Sequence, residues 1–211
     1  MIIETAAQRT EDWYAARIGK ATASRFKDAT AYLRSGDPAQ AQRDYCTELV
    51  VERLTQQSAQ RYATAAMQWG TEQEPAARAA YERVTGTSVE ETGFVAHDTL
   101  LAGCSPDGLV DWDGLIEIKC PWNTANHIET LLNGMPAEHT AQVQGQMWIT
   151  GRQWCDFVSY DPRMPEPLQL HVQRIQRDPS VIADLEAKVT SFLQQVGNQV
   201  EALRRLAESK K

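Results

Sequence analysis

The amino-acid sequence predicts an α/β protein with a mixed β-sheet flanked by helices. Apolar residues recur with helical spacing towards both ends of the chain, in residues 10–85 and 179–207. Short runs typical of strands occupy residues 88–119 and 154–175. No linker, repeat or low-complexity segment interrupts the 211 residues, a length sufficient for one hydrophobic core. We therefore expect residues 1–211 to form a single domain.

The N-terminal part of the chain predicts helices. Thr10 is a good N-cap for a short helix that ends at Gly19, because acidic residues follow it in the first turn. Thr22-Ala23-Ser24 is expected to cap a second helix that reaches about Leu33. Two longer helices are predicted over 39–57 and 66–85, separated by a loose polar segment over 56–65, and Gly86 ends the second.

Strands and helices share the rest of the chain. Strands are predicted over 88–97, 100–102, 107–112 and 115–119, and Asp113-Gly114 indicates a hairpin between the last two. Helices over 125–133 and 137–150, strands over 154–160 and 168–175, and a long amphipathic helix over 179–207 complete the series. This order of elements predicts the mixed sheet.

Composition narrows the possible functions. The net charge is −7, but residues 1–36 carry +2 and the remaining residues −9, so a surface that binds nucleic acid would have to be local. No apolar run is long enough for a membrane span. The N-terminus lacks the basic and apolar segments of a secretory signal, so we expect a cytoplasmic protein. The four cysteines form no C-x-x-C pair, which favours reduced thiols.

The predicted hairpin carries the most informative residues. Glu117 and Lys119 are two apart on a strand and therefore share a face, and Asp107 lies on the preceding strand. Two carboxylates with a backbone carbonyl between them make a site that suits Mg²⁺. A lysine beside that ion can orient or deprotonate an attacking water. The alternative is an ordinary exposed hairpin face, since an E-x-K pattern alone is weak evidence.

The turn length decides whether these side chains meet. A two-residue loop at Asp113-Gly114 would point Asp107 away from Glu117 and Lys119. A three-residue loop over 112–114 pairs Leu109 with Glu117 and Asp107 with Lys119, so that all three residues face one way. We therefore predict that loop, with Gly114 in the left-handed region, or a bulge near Gly108.

Several blocks in this order resemble one nuclease family. Ser105-Pro106-Asp107 followed by Glu117-Ile118-Lys119 resembles the PD-(D/E)xK signature. The other blocks are Arg17 to Ser24, Trp69 to Glu74, Cys120-Pro121, Ala141 to Trp148 and Tyr160 to Met164. Together they are similar to the lambda-exonuclease family and its YqaJ-type viral recombinase nucleases. The resemblance implies a restriction-endonuclease-like core with a mixed central β-sheet flanked by helices.

The resemblance also implies roles for residues near the metal. Asp107 and Glu117 would bind Mg²⁺, for which Mn²⁺ could substitute, with the Ile118 carbonyl as a further ligand and two ions per site. Lys119 would serve the nucleophilic water. Glu74 corresponds to a helical acid of the site and Gln142 to a glutamine that faces the metal. For both of these residues, the alternative is a solvated helix position.

Other residues correspond to DNA contacts. Arg17 matches an arginine that binds the 5′-phosphate, which suits its planar fork. Ser24 and Ser105 match hydroxyls that contact phosphate, although Ser24 could be only a helix cap. Trp13 could stack on a base or belong to the core, and Met67 could be a strand-separating wedge or a core residue. His139 precedes Gln142 by three residues and could face DNA.

The family implies a 5′-to-3′ exonuclease that degrades one strand of linear duplex DNA to mononucleotides and leaves a 3′ single-stranded tail. It further implies a homotrimeric ring, a single-strand annealing protein as partner, and a gene carried by a phage or prophage in a bacterial host. An endonuclease of the same superfamily is one alternative. A catalytically silent DNA-binding module of a recombination complex is another, which the intact set of Asp107, Glu117 and Lys119 disfavours.

Overall fold

Two β-sheets form the centre of the fold in the computed structural model, which describes residues 2–3, 6–58 and 64–210. The helices are α1 (Glu11–Arg17), α2 (Phe26–Ala29), α3 (Gln40–Thr55), α4 (Ala65–Thr85), α5 (Thr124–Asn133), α6 (Thr140–Thr150) and α7 (Pro179–Glu208). The strands are β1 (Ile2–Ile3), β2 (Ala21–Thr22), β3 (Val89–Glu90), β4 (Val95–Ala96), β5 (Ala102–Cys104), β6 (Gly108–Val110), β7 (Gly114–Lys119), β8 (Trp154–Tyr160) and β9 (Leu170–Gln176). Short 3₁₀ helices cover Ala23–Arg25, Ala137–His139 and Glu166–Leu168.

The sequence predicted one mixed sheet, and the structure has two, both of them mixed. The smaller has the order β1-β4-β5-β2, with β2 parallel to β5. The larger has the order β3-β6-β7-β8-β9, with only β7 and β8 parallel. Strands β7 and β8 are buried along almost their whole length, which fits their central place in the larger sheet.

Helices cover these sheets and bury three apolar clusters. Helices α2, α3 and α7 share the first cluster, which includes Phe26, Leu49 and Phe192. Tyr81 of α4 packs in a second cluster with Ile116 of β7, and Met147 of α6 packs in a third with Leu115. No helix in the described part of the chain is long and apolar enough to cross a lipid bilayer.

Helix ends agree with several sequence predictions. Thr10 caps α1, its hydroxyl accepting a hydrogen bond from the amide of Trp13 over 3.3 Å. Gly86 ends α4 with a φ of +72°, a conformation that favours glycine. Of the polar segment predicted over 56–65, residues 59–63 lie outside the described residues.

The prediction of a second helix up to Leu33 was wrong. A 3₁₀ turn precedes α2, which already ends at Ala29, and Ser24 lies inside that turn instead of capping a helix. The amide of Ala39 donates to the carbonyl of Ala31, and that of Leu33 to the carbonyl of Asp37. Residues 31–39 therefore satisfy their backbone groups in a turn of their own, which competes with helix continuation.

The strand predicted over 88–97 is also interrupted. Its first part, β3, pairs with β6 in the larger sheet, and its second part, β4, pairs with β5 in the smaller. Because the chain passes from one sheet to the other around Gly93, a single continuous strand cannot satisfy both pairings. This sequence window contains the crossing between the sheets.

The β6–β7 hairpin has a three-residue loop, but not the predicted one. The loop is 111–113, so Leu109 pairs with Leu115 and Val110 with Gly114. Asp111, with a φ of +49°, takes the left-handed conformation that we expected of Gly114. Gly114 is needed for a different reason, since a Cβ at this position would overlap the ring of Trp154.

Candidate active site

The end of the β6–β7 hairpin brings Asp107 against the middle of β7. The amide of Asp107 donates to the carbonyl of Ile116 over 3.2 Å, one residue away from the partner that the regular ladder would give it. Its Oδ2 atom accepts a hydrogen bond from the amide of Ile118 over 2.6 Å. Asp107 and Gly108 thus both face Ile116, an irregularity at the position where the sequence predicted a bulge as the alternative, and the carboxyl group of Asp107 replaces a backbone acceptor.

Glu117 is the most constrained carboxylate of the site. It is only 2% exposed. Its Oε1 atom accepts from Lys119 Nζ over 2.6 Å and from Gln142 Nε2 over 2.5 Å. Its Oε2 atom accepts from Gln146 Nε2 over 2.6 Å. Donors from β7 and α6 therefore fix both oxygens of this buried charge, as a buried carboxylate requires.

Lys119 lies beside the carboxylates and is partly open to solvent. Its side chain is 31% exposed, and Nζ also lies 3.1 Å from Gln142 Oε1. Burial disfavours the charged amine, but the carboxylates of Glu117 and Asp107 outweigh that effect and raise the pKa of Lys119. The amine is therefore a cation at neutral pH in the protein without metal.

For Asp107, the surroundings favour the neutral form of the side chain. Burial, followed by the negative charges of Glu117 and Glu74, raises the pKa of Asp107 well above its ordinary value. Among the described residues, its carboxylate forms no salt bridge. The acids at this end of the hairpin therefore repel one another, and a divalent cation would relieve that repulsion.

Glu74 reaches the same region from α4. Its carboxylate forms salt bridges with Arg78, at 3.0 Å, and with Arg9. Arg78 Nη2 also lies 3.4 Å from the carbonyl oxygen of Asp107, which links α4 to the hairpin. Glu74 thus lies close to the Asp107–Glu117 pair, and its charge is already shared with two arginines.

The donor set fits a hard divalent cation. Carboxylate oxygens dominate the site, and they suit a hard cation better than the softer metals that prefer sulfur and imidazole groups. No three Asp, Glu, His or Cys side chains converge into a complete ligand set within the described residues. An ion at Asp107 and Glu117 would therefore also need oxygens from the backbone or from water, which is usual for Mg²⁺.

Arg17, Trp13 and Ser105 form a second group close to the carboxylates. Ser105 Oγ accepts from Trp13 Nε1 over 3.0 Å and from Arg17 Nη1 over 3.2 Å. The guanidinium carbon of Arg17 lies 4.0 Å from the centre of the Trp13 ring. Trp13 is largely buried, and its ring supports the Arg17 guanidinium.

A cavity of about 810 Å³ opens beside this group, and Arg17, Trp13, Lys20 and Thr22 contribute to its wall. Met67 also lines it, 53% exposed in the first turn of α4, so the interpretation of Met67 as a core residue was wrong. Ser24 is exposed, and its Oγ atom lies 3.3 Å from Oγ1 of Thr22.

His139 directly precedes α6 and lies near Lys119. Its ring packs against Phe157, with centroids 5.2 Å apart. Burial and the positive charge of Lys119 lower the pKa of His139, so the neutral ring is favoured at neutral pH. His139 therefore lies near Lys119 and Glu117.

Three contributors to the site were missed from the sequence. Gln146 holds the second oxygen of Glu117, and its spacing of four residues from Gln142 on a helix could have revealed it. Arg78 has the same spacing from Glu74. Arg9 contacts Glu74 from 65 positions away in the sequence, and no local signal predicts such a pairing.

Two mixed sheets flanked by helices, with this acidic hairpin, define an α/β protein of restriction-endonuclease-like fold. The chain belongs to the family of the YqaJ-like viral recombinase domain, whose model matches residues 12–153. This agrees with the family resemblance carried by the sequence blocks.

Solved structures give the same result. The alkaline exonuclease LHK-Exo from Laribacter hongkongensis is 48% identical, with a TM-score of 0.88 over 96% of this chain and 100% of that chain. Its complex with dAMP gives a TM-score of 0.89 at the same identity and coverage. A phage-related exonuclease from Haemophilus somnus, 17% identical, shares the fold with a TM-score of 0.72 over 87% of this chain and 96% of its own. No curated protein matches the chain.

Proposed function

We propose that this protein is a Mg²⁺-dependent exonuclease that degrades one strand of linear duplex DNA from its 5′ end. The observation that carries the proposal is the convergence of Asp107, Glu117 and Lys119 at the end of one hairpin, with Glu74 and Gln142 beside them. Two acids and an amine so placed suit the hydrolysis of a phosphodiester. The similarity to an alkaline exonuclease supports the same class of reaction.

Each residue has a distinct task in this proposal. Asp107, Glu117 and the Ile118 carbonyl would hold Mg²⁺, with Glu74 contributing through water, and two ions per site are expected, as is activity with Mn²⁺. The bound ion would lower the pKa of the attacking water and stabilise charge on the phosphate. Lys119 Nζ would orient that water, and it would accept a proton only in its neutral form, which a bound ion would favour by offsetting the charges of Glu117 and Asp107. Gln142 and Gln146 keep the Glu117 carboxylate in place.

Arg17 and Ser105 are the residues that would make digestion begin at a 5′ end. The guanidinium of Arg17 belongs to the N-terminal segment that carries net positive charge, and it donates to the hydroxyl of Ser105 over 3.2 Å. A 5′-phosphate bound there would place the first internucleotide linkage near the carboxylates. The complex of a relative with dAMP supports mononucleotides as the products. Their release from one strand would leave the other strand as a 3′ single-stranded tail.

We further propose a homotrimeric ring around DNA and a single-strand annealing protein that receives the 3′ tail. A ring retains its substrate by topology, so it tolerates the chain's net charge of −7, and weak phosphate binding would permit sliding. Membership of a viral recombinase family supports a phage or prophage gene and action in the cytoplasm of a bacterial host.

The test uses linear duplex DNA labelled at either the 5′ or the 3′ end, with and without Mg²⁺. We expect metal-dependent release of labelled mononucleotide from the 5′ end first, and a resistant opposite strand. A closed circular duplex of the same sequence serves as the control. Cleavage of the circle would indicate an endonuclease, and binding without cleavage in Mg²⁺ and Mn²⁺ would indicate a silent module.

A further inference from the structure

Arg163, in the turn between β8 and β9, makes an unusual number of contacts for an exposed arginine. Its Nε and Nη2 atoms each donate to the carboxylate of Asp161 over 2.8 Å. Nη1 donates to the carbonyl of Trp122 and Nη2 to that of Pro121, both over 3.0 Å. Because β7 ends at Lys119, these carbonyls belong to the segment that leaves the catalytic strand.

Asp161 is a rigid support for this guanidinium. It is fully buried, and burial alone would raise its pKa, but hydrogen bonds from Arg163 and Thr124 outweigh that effect and lower the pKa to about 2. The paired carboxylate is therefore ionised at all physiological pH values. A bidentate contact of this kind fixes the orientation as well as the position of the guanidinium.

The same guanidinium contacts α4. Its central carbon lies 4.6 Å from the centre of the Trp69 ring, and Trp69 meets Trp122 edge to face at 5.8 Å. The backbone of α4 also runs close to the end of β7, since a Cβ at Gly70 would lie 3.9 Å from the carbonyl oxygen of Cys120. Arg163 and Trp122 thus enclose Trp69, one and a half turns before Glu74.

This contact matters because no residue in the first half of α4 is buried. All the fully buried residues of α4, namely Ala77, Ala80 and Tyr81, follow Pro75. Pro75 lacks an N–H group, so the hydrogen bond that would join it to the preceding turn is missing and the helix can bend there. The orientation of residues 65–74, which include Glu74, therefore depends on contacts such as the one at Trp69.

We propose that Arg163 is a positioning residue for the carboxylate site. It fixes the end of β7, which carries Glu117 and Lys119, and through Trp69 it fixes the part of α4 that carries Glu74. Arg163 is more than 40 residues from these acids in sequence and makes no hydrogen bond to them. The inference rests on the proposed function, because it assumes that these acids bind the metal.

The chain provides a matched control. Arg174 also forms a bidentate pair with a buried aspartate, Asp156, at 2.8 and 2.9 Å, and its guanidinium lies 3.6 Å from the ring centre of Trp154. This second arrangement is held by strands β8 and β9 and by the hydroxyl of Tyr81, in the half of α4 that follows Pro75, and it does not contact the segment after β7. Arg163→Lys and Arg174→Lys therefore remove the same kind of planar fork at two different places.

The experiment measures Mn²⁺ binding by calorimetry and hydrogen exchange of the peptide 65–74, both on full-length protein without DNA, together with thermal unfolding. We expect Arg163→Lys to weaken Mn²⁺ binding at least tenfold and to speed exchange in 65–74. Arg174→Lys should lower the unfolding temperature while leaving both readouts within twofold of the parent. Trp69→Leu should reproduce the Arg163→Lys result, and Trp69→Phe should retain most of the parent's behaviour.

The outcomes separate the two proposals. If the parent binds no Mn²⁺, the proposed function fails, and this inference with it. If the parent binds Mn²⁺ and Arg163→Lys changes neither readout more than Arg174→Lys does, only the positioning role is overturned. Should Arg163→Lys fail to fold, the two Trp69 variants decide the question, and equal behaviour of Leu and Phe would refute the role.

Discussion

The carboxylate of Asp107 accepts a hydrogen bond from the backbone amide of Ile118 over 2.6 Å, at the point where β6 and β7 cease to pair. This contact places Asp107 beside both neighbours of Ile118, which are Glu117 and Lys119. A regular ladder would use the same amide for a backbone carbonyl. The departure from regular strand pairing therefore brings the three residues of the site together.

Removal of any one of these three side chains should nearly abolish cleavage. Asp107→Ala, Glu117→Ala and Lys119→Ala should each lower the rate by about a thousandfold, because each removes several kcal/mol of stabilisation of the transition state. Rates on linear duplex DNA and circular dichroism of the variants check this. Asp111→Asn, on the exposed loop of the same hairpin, is the control and should keep its activity. Retention of a tenth of the parent rate by Asp107→Ala would contradict the assignment.

Gln146 should matter for the reaction although it lies too deep to touch DNA. Gln146→Met keeps the volume but removes the donor to Glu117, a charge-assisted hydrogen bond worth about 1.5–3 kcal/mol. We expect the rate to fall roughly ten- to hundredfold. Gln144→Met is the matched control, because Gln144 is equally buried on α6 but bonds the backbone of Gln176 and Asp178. Equal rate losses in both variants would mean that only the packing of α6 was disturbed.

Met67 should assist strand separation at the duplex end. Its exposed side chain lines the cavity at the start of α4, where an apolar wedge could enter between bases. Met67→Ala should slow digestion of blunt duplexes roughly tenfold, since unstacking a base step costs a few kcal/mol. Substrates with frayed ends should be digested at the parent rate. The idea is refuted if both substrates are slowed to the same degree.

Arg17 should confer a preference for 5′-phosphorylated ends. Loss of a charge-assisted hydrogen bond costs roughly 1.5–3 kcal/mol, so the parent should favour a 5′-phosphate over a 5′-hydroxyl by about tenfold or more. Arg17→Ala should erase this preference and lower processivity. Four reactions test it, with two end chemistries and two proteins, and Mn²⁺ binding shows whether the metal site is still formed. If the variant keeps the preference, the phosphate binds elsewhere.

Acid should destabilise the fold partly through His171. Burial and the nearby His127 lower the pKa of His171, so its neutral form is favoured in the folded protein. A histidine whose folded pKa lies below its unfolded value of about 6.5 binds protons more readily when unfolded. Its stabilising contribution is present above that value and is lost as the pH falls below it.

Urea unfolding at pH 7.5 and 5.5 measures this effect. The free energy of unfolding should fall less between these pH values in His171→Gln than in the parent. Titrating groups that do not interact with His171 contribute equally to both proteins, so the difference reports His171 together with its coupling to His127. The same pH dependence in both proteins would show that His171 has no part in it.

The local sequence determined the element types, the end of α4 at Gly86 and the cap of α1 at Thr10, because propensity and capping act within a few residues. It also indicated the acids and the lysine of the site, since their spacing and the block order are properties of the chain alone. The sequence also predicted a three-residue loop, and a loop of that length places Asp107 and Glu117 on the same face of the hairpin. The observed loop, 111–113, begins one residue before the predicted one.

Tertiary structure decided the rest. The close approach of Trp154 requires Gly114 to lack a side chain, and that ring comes from a strand 40 residues away. The division of the predicted strand 88–97 depends on which sheet each half joins, and the early end of α2 on the turn that residues 31–39 form. Likewise, Arg9 and Arg163 act on the site only because distant segments pack against it. Contacts of this kind leave no local pattern, because their energy comes from groups that folding alone brings together.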